Sequence, residues 1–169
     1  MRHIAAFSTG KTGVRLAELL QAGGAVVHLM GSPEALLRVD PDVSSEGFSS
    51  TRDLMARMHL FLSENPTAWV IHAAAVGDYE VEPSAEKLAS GQEELLLRLR
   101  PTPKIIHHIK QWAPESRLVG FKAAGPGTSK EALVGLCRDL IKTNGASLVL
   151  GNVIGSLEST ATLVDERSE

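Results

Sequence analysis

The sequence predicts an α/β fold, a Rossmann-like, mostly parallel sheet with helices on both faces. Three observations carry that expectation. Short apolar runs at 25–30, 69–71, 117–123 and 146–150 alternate with stretches of helical spacing at 14–20, 51–62, 104–112 and 129–142. The runs are near-continuous rather than alternating in polarity, as strands buried on both faces are. Each also ends in small or turn-forming residues, and in open α/β sheets ligands bind in the crevice outside such carboxyl ends.

Taken in order, Met1–Ala6 is a short stub before Phe7-Ser8-Thr9-Gly10-Lys11-Thr12-Gly13. Val14, Leu16, Ala17, Leu19 and Leu20 then follow at helical spacing, and Gly23-Gly24 stop the helix. Ala25–Met30 reads as a strand ended by Gly31-Ser32-Pro33, and 34–50 reads as loop with one helical turn near Ala35-Leu36-Leu37. Thr51–Leu62 is a helix with Leu54, Met58, Phe61 and Leu62 on one face and Ser50 or Thr51 as its cap. Its methionines read as core filler.

The next strand runs from Trp69 to Ile71 into Ala73-Ala74-Ala75, and Gly77-Asp78 break the pattern. Residues 79–91 are polar and turn-rich, and Glu94–Arg100 reads as a partly exposed edge strand halted by Pro101-Thr102-Pro103. Thr102 is then expected to cap a helix over Lys104–Trp112, with Ile105, Ile106, Ile109 and Trp112 inward. His107 and His108 are adjacent on that helix and cannot face one metal together. Arg117–Ala123 is a strand ended by Gly125-Pro126-Gly127. Ser129–Lys142 is a helix with Leu133, Leu136, Leu140 and Ile141 at core spacing and Asn144-Gly145 as its stop. Cys137 sits beside that face as a buried, inert thiol. Ala146–Leu150 is a strand ending at Gly151-Asn152, and Thr160–Val164 a short last one.

The 169 residues, 43% hydrophobic and 22% charged, suffice for one domain with a real core. A formal net charge of −3 argues against a nucleic-acid footprint. No apolar run reaches the length of a membrane span and no secretory leader pattern opens the chain, so a cytoplasmic protein is expected. One cysteine excludes an internal disulfide framework.

Two stretches offer chemistry. The three alanines at 73–75 keep a crevice floor flat, and Asp78 adds an acceptor for an amine or hydroxyl; the plain alternative is a tightly packed strand end with a turn-forming Asp. The Ser8-Thr9-Gly10 loop presents hydroxyls and free N–H groups at the positive end of a helix, an anion site suited to phosphate. It has neither Walker nor G-x-G-x-x-G spacing, and the plain alternative is an ordinary Ser/Thr N-cap. A nicotinamide oxidoreductase is disfavoured, because Gly31-Ser32 stand where the second strand would end in a ribose-binding acid. A serine hydrolase lacks its G-x-S-x-G elbow.

Four stretches occur together in order: 7–13, Ala74-Ala75-Val76-Gly77-Asp78-Tyr79, Thr102-Pro103-Lys104-Ile105-Ile106, and Val119-Gly120-Phe121-Lys122. With a weaker fifth, Arg138–Asn152, they span nearly the whole chain. By them the sequence resembles the phosphopantothenate–cysteine ligase family, in its free-standing bacterial form. The resemblance covers residues 1–169 as a single domain. It implies CTP as co-substrate with Mg²⁺, an acyl-cytidylate of phosphopantothenate, and displacement of CMP by the amine of cysteine in coenzyme A biosynthesis. The choice of CTP over ATP comes from the resemblance alone.

The resemblance also assigns roles. Ser8, Thr9 and Gly10 would cradle phosphate, and Ala74, Ala75 and Asp78 would meet the nucleotide. Lys87 would neutralise the triphosphate as the catalytic cation, while Pro103, Lys104, Ile105 and Phe121 shape the nucleotide pocket. Arg138 and Lys142 would hold phosphates, with Arg138 standing where the family usually has lysine, and Asn152 would bind substrate. Mg²⁺ would bridge phosphates, so no dedicated metal motif is expected. A homodimer is implied, because the family builds its acyl-substrate site across two subunits.

The sequence departs from the family pattern at named places. It begins after the family's first strand and Gly-Gly-Thr loop, and Ala6 replaces an Asn tied to completing the acyl-cytidylate step. The lysine-rich run after the Asp shrinks to Lys87, and Gly151-Asn152-Val153 replaces Ala-Asn-Asp. These departures favour an alternative, a non-catalytic nucleotide- or pantothenate-binding homologue partnering a separate phosphopantothenoylcysteine decarboxylase.

Overall fold

The computed structural model describes residues 8–82, 96–155 and 161–167. In chain order the elements are α1 (Lys11–Ala22), β1 (His28–Gly31), α2 (Pro33–Leu36), β2 (Ser44–Gly47), α3 (Thr51–Glu64), β3 (Trp69–His72) and β4 (Tyr79–Val81). They continue as β5 (Leu99–Pro101), α4 (Ile106–Trp112), β6 (Arg117–Ala124), α5 (Lys130–Asn144), β7 (Leu148–Val153) and β8 (Thr162–Asp165). The strands pair mostly in parallel and alternate with helices, the expected α/β arrangement. No helix among the described residues is long and apolar enough to cross a membrane. The chain divides into two compact units, Met1–Arg52 with Ala75–Lys104 and Asp53–Ala74 with Ile105–Glu169.

In the first unit β1 pairs in parallel with β2, and β4 pairs antiparallel with β5. Val14, Ala17, Ala35 and Val43 are its buried apolar residues. β2 is absent from the sequence-based expectation because Ser44-Ser45-Glu46-Gly47 carries no apolar signal; it is a strand because β1 supplies its hydrogen bonds. β4 was likewise expected as turn, and β5 is shorter than expected: Leu96–Arg98 make no ladder, and 94–95 lie outside the described residues. Pro101 belongs to β5 rather than halting it, at the end of a strand whose residues are all exposed.

The second unit holds a four-stranded sheet in the order β3-β6-β7-β8, parallel except for β8. A β-carbon at Gly120 of β6 would meet Leu140 Cδ2 at 2.7 Å and Ile106 Cδ1 at 3.7 Å. One at Gly151 of β7 would meet Cys137 Sγ at 2.6 Å and Leu133 at 3.1 Å. The two glycines therefore let α4 and α5 lie directly on one sheet face, where Leu118 and Val149 are fully buried. The opposite face carries Val119, Phe121, Leu148 and Leu150, all half-buried.

α5 follows its expected limits, with the Ser129 hydroxyl accepting from the Ala132 N–H at 3.2 Å and Gly145 left-handed at φ 63° beyond its end. Its buried stripe is Leu133, Cys137, Ile141 and Asn144, whereas Leu136 is 37% exposed. The stripe is rotated by one position from the expected one because Gly151 leaves room for Cys137. Burial pushes the Cys137 thiol up and Lys122 opposes the effect, consistent with an unreactive core thiol. α4 begins two residues later than expected. Ile105 stands at its cap without a side-chain bond, and Thr102 is instead buried with Oγ1 unpartnered among the described residues.

His72 ends β3, and its Nε2 is buried without a hydrogen-bond partner among the described residues. Burial lowers its pKa, weakly opposed by its backbone hydrogen bond. Because the unfolded chain takes up the proton first, this group's contribution is full above the unfolded value of about 6.5 and is lost as pH falls toward the folded value. The urea midpoint should therefore drop between about pH 7.5 and pH 5.5, and His72→Phe should flatten that slope; an unchanged slope would show that His72 is not the group. At the sheet, Gly151→Ala should destabilise by about 1–3 kcal/mol through overpacking. Cys137→Ala should relieve part of that loss, giving a non-additive double mutant in urea titrations.

Candidate functional site

In the first unit the Ser8-Thr9-Gly10 loop is built by close packing. Gly10 sits at φ 69° as the N-terminal cap residue of α1, and a β-carbon there would lie 2.5 Å from Ala35 Cβ. Only glycine fits both the left-handed backbone and the contact with α2. No side chain caps α1, so the alternative of a Ser/Thr cap is corrected: Gly10 takes the cap position and displaces both hydroxyl residues from it. Ser8 is exposed, and the Thr9 carbonyl accepts from Arg38 Nη1 at 3.3 Å. Arg38 also donates to Glu34 Oε1 at 3.0 Å, which ties the loop to α2.

Ala74 and Ala75 follow β3 as exposed residues, and Asp78 closes the loop. The first unit brings Asp78 against Lys104, whose Nζ donates to the Asp78 carboxylate. The Thr102 N–H donates to the Asp78 carbonyl at 2.9 Å. These two bonds join motif stretches far apart in sequence, the ion pair spanning 26 residues. The pairing of Tyr79 with Pro101 continues the junction into the β4–β5 hairpin. The Asp78 and Lys104 side chains remain 73% and 42% exposed, so both charges stay open to solvent and to a ligand. Pro103 is half-buried beside them.

Sequence reasoning missed four charged residues here, Glu80, Glu82 and Arg100 along the hairpin and Arg52 in the first turn of α3. Arg52 pairs with Glu80 at 2.7 Å and Arg100 with Glu82 at 2.6 Å, and with Val81 these residues line a shallow cleft. The period-two spacing of Glu80 with Glu82 and of Arg98 with Arg100 is the signal that would have revealed an antiparallel charged ladder.

In the second unit Phe121 and Asn152 are brought together. Gly120 and Gly151 face the helices, so Phe121 and Asn152 project from the opposite face of neighbouring strands. Asn152 lies opposite Ala123 and Phe121 opposite Leu150, toward the carboxyl ends of the parallel ladder. Ile105 is only 1% exposed and belongs to the core, so it can shape a pocket only from behind. Arg138 is half-buried on α5. Lys142 is exposed in the last turn of α5. α5 runs back along β6 and β7, with Cys137 level with Gly151 and Leu140 level with Gly120, so Lys142 lies toward the amino ends of the strands, away from Asn152. Lys87 and Ala6 lie outside the described residues.

Comparison with known proteins gives a consistent result. The family model for the DNA/pantothenate metabolism flavoprotein C-terminal domain matches residues 1–168. The chain is similar to the coenzyme A biosynthesis bifunctional protein CoaBC of Thermococcus kodakarensis, 36% identical over 97% of this chain and 41% of that protein. It spans well under half the length of that relative. Among solved structures it is similar to the DNA/pantothenate metabolism flavoprotein from Streptococcus pneumoniae, with TM-score 0.85 and 27% identity, covering 98% of this chain and 82% of that one. A Cab2 structure described as a complex with phosphopantothenate-cysteine shares the fold at TM-score 0.70 and 18% identity, over 98% of this chain and 71% of that one. With essentially its full length matched, the chain belongs to the DNA/pantothenate metabolism flavoprotein C-terminal domain family.

Proposed function

We propose that the chain is a ligase module of coenzyme A biosynthesis that joins 4′-phosphopantothenate to cysteine with CTP as the activating nucleotide. On this reading residues 1–169 act as one ligase-like module, working in the cytoplasm as a homodimer. A carboxylate oxygen of phosphopantothenate attacks the α-phosphorus of CTP, and pyrophosphate leaves. The cysteine nitrogen then attacks the acyl carbon, its proton is lost, and CMP leaves with the bonding pair to oxygen. Support comes from family membership together with one observation: Asp78 and Lys104 meet, still solvent-accessible, directly after the exposed alanines that follow β3.

In this proposal the Ser8–Gly10 loop and the N-terminus of α1 receive phosphate oxygens. Lys104 leaves the Asp78 carboxylate and turns to the nucleotide phosphates, and Asp78 takes a hydroxyl or amine of the nucleotide. Phe121 offers an apolar surface and Asn152 a hydrogen-bonding amide for the acyl substrate. Lys87 and Arg138 add positive charge around the triphosphate, whereas Lys142, toward the amino ends of the strands, stands apart from Asn152. Mg²⁺ would be held largely by substrate phosphates with few protein ligands, and would neutralise charge on the departing pyrophosphate. A separate phosphopantothenoylcysteine decarboxylase would consume the product.

The deciding experiment is pyrophosphate release from CTP by the purified chain, with phosphopantothenate and Mg²⁺, and with cysteine added or withheld. Sustained release that requires cysteine is expected. Release of one equivalent would mean activation without amide formation and would direct attention to Ala6. No release, with CTP still bound, would replace the ligase with a non-catalytic nucleotide-binding homologue. Asp78→Asn and Lys104→Ala should each lower kcat/KM for CTP by about 10–100-fold, as expected for a lost charge-assisted hydrogen bond of about 1.5–3 kcal/mol. Wild-type kinetics in both variants would remove this pair from the site.

A further inference from the structure

Gly10 stands at φ 69° and ψ 0°, directly before the helical residues of α1. A left-handed residue followed by a helical one turns successive N–H groups toward one concave side, an arrangement that receives anions. No side chain caps α1, so the first N–H groups of the helix keep that side open. Whether the Gly10 N–H joins them depends on one peptide. A trans peptide points its C=O and its N–H in opposite directions. With the Thr9 carbonyl turned outward, the Gly10 N–H faces the concave side; with the peptide turned over, the carbonyl oxygen would face an incoming anion. Glycine does not itself hold the peptide, because it accepts either sign of φ. It stands here because a β-carbon would meet Ala35 Cβ at 2.5 Å.

One side chain holds the carbonyl. Arg38, 29 residues further along and just beyond α2, places Nη1 between two main-chain oxygens, 3.3 Å from that of Thr9 and 3.1 Å from that of Glu34. Its Nη2 donates to Glu34 Oε1 at 3.0 Å. Three bonds from a planar fork fix the guanidinium from the α2 side, a geometry that a lysine ammonium does not reproduce. The Arg38 and Glu34 side chains are 40% and 57% exposed, so the ion pair adds little stability. Its donors are given to protein oxygens and a carboxylate stands against it, so Arg38 is not itself the ligand of an anion. What it sets is the orientation of the Thr9–Gly10 peptide.

We propose that Arg38 is a positioning residue for this loop. By holding the Thr9 carbonyl outward it keeps the Gly10 N–H turned in, where it joins those of Lys11 and Thr12 on a phosphate group of the nucleotide. The inference rests on the phosphate role proposed above for Ser8–Gly10. It adds what decides the loop's affinity for that phosphate: a side chain outside the loop, fixed by Glu34 and acting through the Thr9 carbonyl without touching the ligand.

The test is a titration of the 169-residue protein with inorganic pyrophosphate, and with CTP and Mg²⁺, followed by NMR through its backbone amides. In the wild-type chain the Gly10, Lys11 and Thr12 amides should move toward saturation. Arg38→Ala should bind about tenfold more weakly, the effect of one lost hydrogen bond to a charged group. Its Gly10 amide should no longer move, while those of Lys11 and Thr12 still do. Arg38→Lys keeps the charge without the fork and should also bind more weakly. The double variant Glu34→Ala/Arg38→Ala removes one charge of each sign and should stay as weak as Arg38→Ala. Amides of β1 and of α1 beyond its first turn report that each variant is folded; if Arg38→Ala is not, the Arg38→Lys titration decides. Wild-type affinity and a wild-type Gly10 response in Arg38→Ala would overturn the proposal and leave the phosphate role of the loop standing. Wild-type affinity in Arg38→Lys or in the double variant would show that the fork is not needed, and would overturn it as well. If the wild-type amides ignore both probes, the loop leaves the proposed function and this inference falls with it.

Discussion

The parallel ladders on the two sides of β6 are the constraint on which the second unit depends. β6 runs eight residues and is bonded to β3 through Trp69–His72 and to β7 through Leu148–Val153. Because both ladders are parallel, their carboxyl ends fall on one edge, and residues that leave the strands there converge whatever their distance in sequence. That is how Phe121 and Asn152, far apart in sequence, share a face. The same geometry sets the helices. A parallel crossover must return the chain to the starting edge, so α5 runs back along the sheet and carries Lys142 away from Asn152.

Close approach of helix to sheet explains where small residues stand. Gly120 and Gly151 face α5 and leave space for Leu140, Leu133 and Cys137. A side chain at either position would meet an atom nearer than 3 Å. The cysteine is therefore a packing residue, with burial raising its pKa and no partner shaped to activate it among the described residues. Phe121 and Asn152, the residues proposed to meet the acyl substrate, sit on the opposite sheet face, which is half-buried.

In the first unit polar contacts tie the loops together around a small buried apolar set, Val14, Ala17, Ala35 and Val43. Arg38 ties the Ser8-Thr9-Gly10 loop to α2, Lys104 and the Thr102 N–H tie the loop after β3 to the chain that follows β5, and paired charges run along the hairpin. Exposed pairs of this kind contribute little to stability individually, about 0–1 kcal/mol. In the proposed triphosphate site their value would be different: they would hold charges of both signs in position while leaving them exchangeable for a ligand's charges.

Local patterns were enough to reveal much of this protein. Apolar spacing located the three long helices among the described residues within a few residues, and near-continuous apolar runs marked β1, β3, β6 and β7 as parallel strands, although β1 pairs with β2 in a sheet of its own. The Ser-Thr-Gly and Gly-Asp stretches were legible as candidate ligand loops for the same reason, since loop chemistry depends on residues adjacent in sequence. Tertiary structure decided the rest. β2 and β4 are strands only because partners complete their backbone hydrogen bonds. Gly10 rather than a hydroxyl residue caps α1 because Ala35 presses on it, and the α5 stripe turns onto Cys137 because Gly151 yields space. Asp78 finds Lys104, and α4 loses its expected Thr102 cap, through contacts between segments far apart in the chain. Helical periodicity and turn chemistry are encoded within one or two turns of chain, whereas cap choice, strand pairing and ion-pair partners depend on which distant surface arrives there.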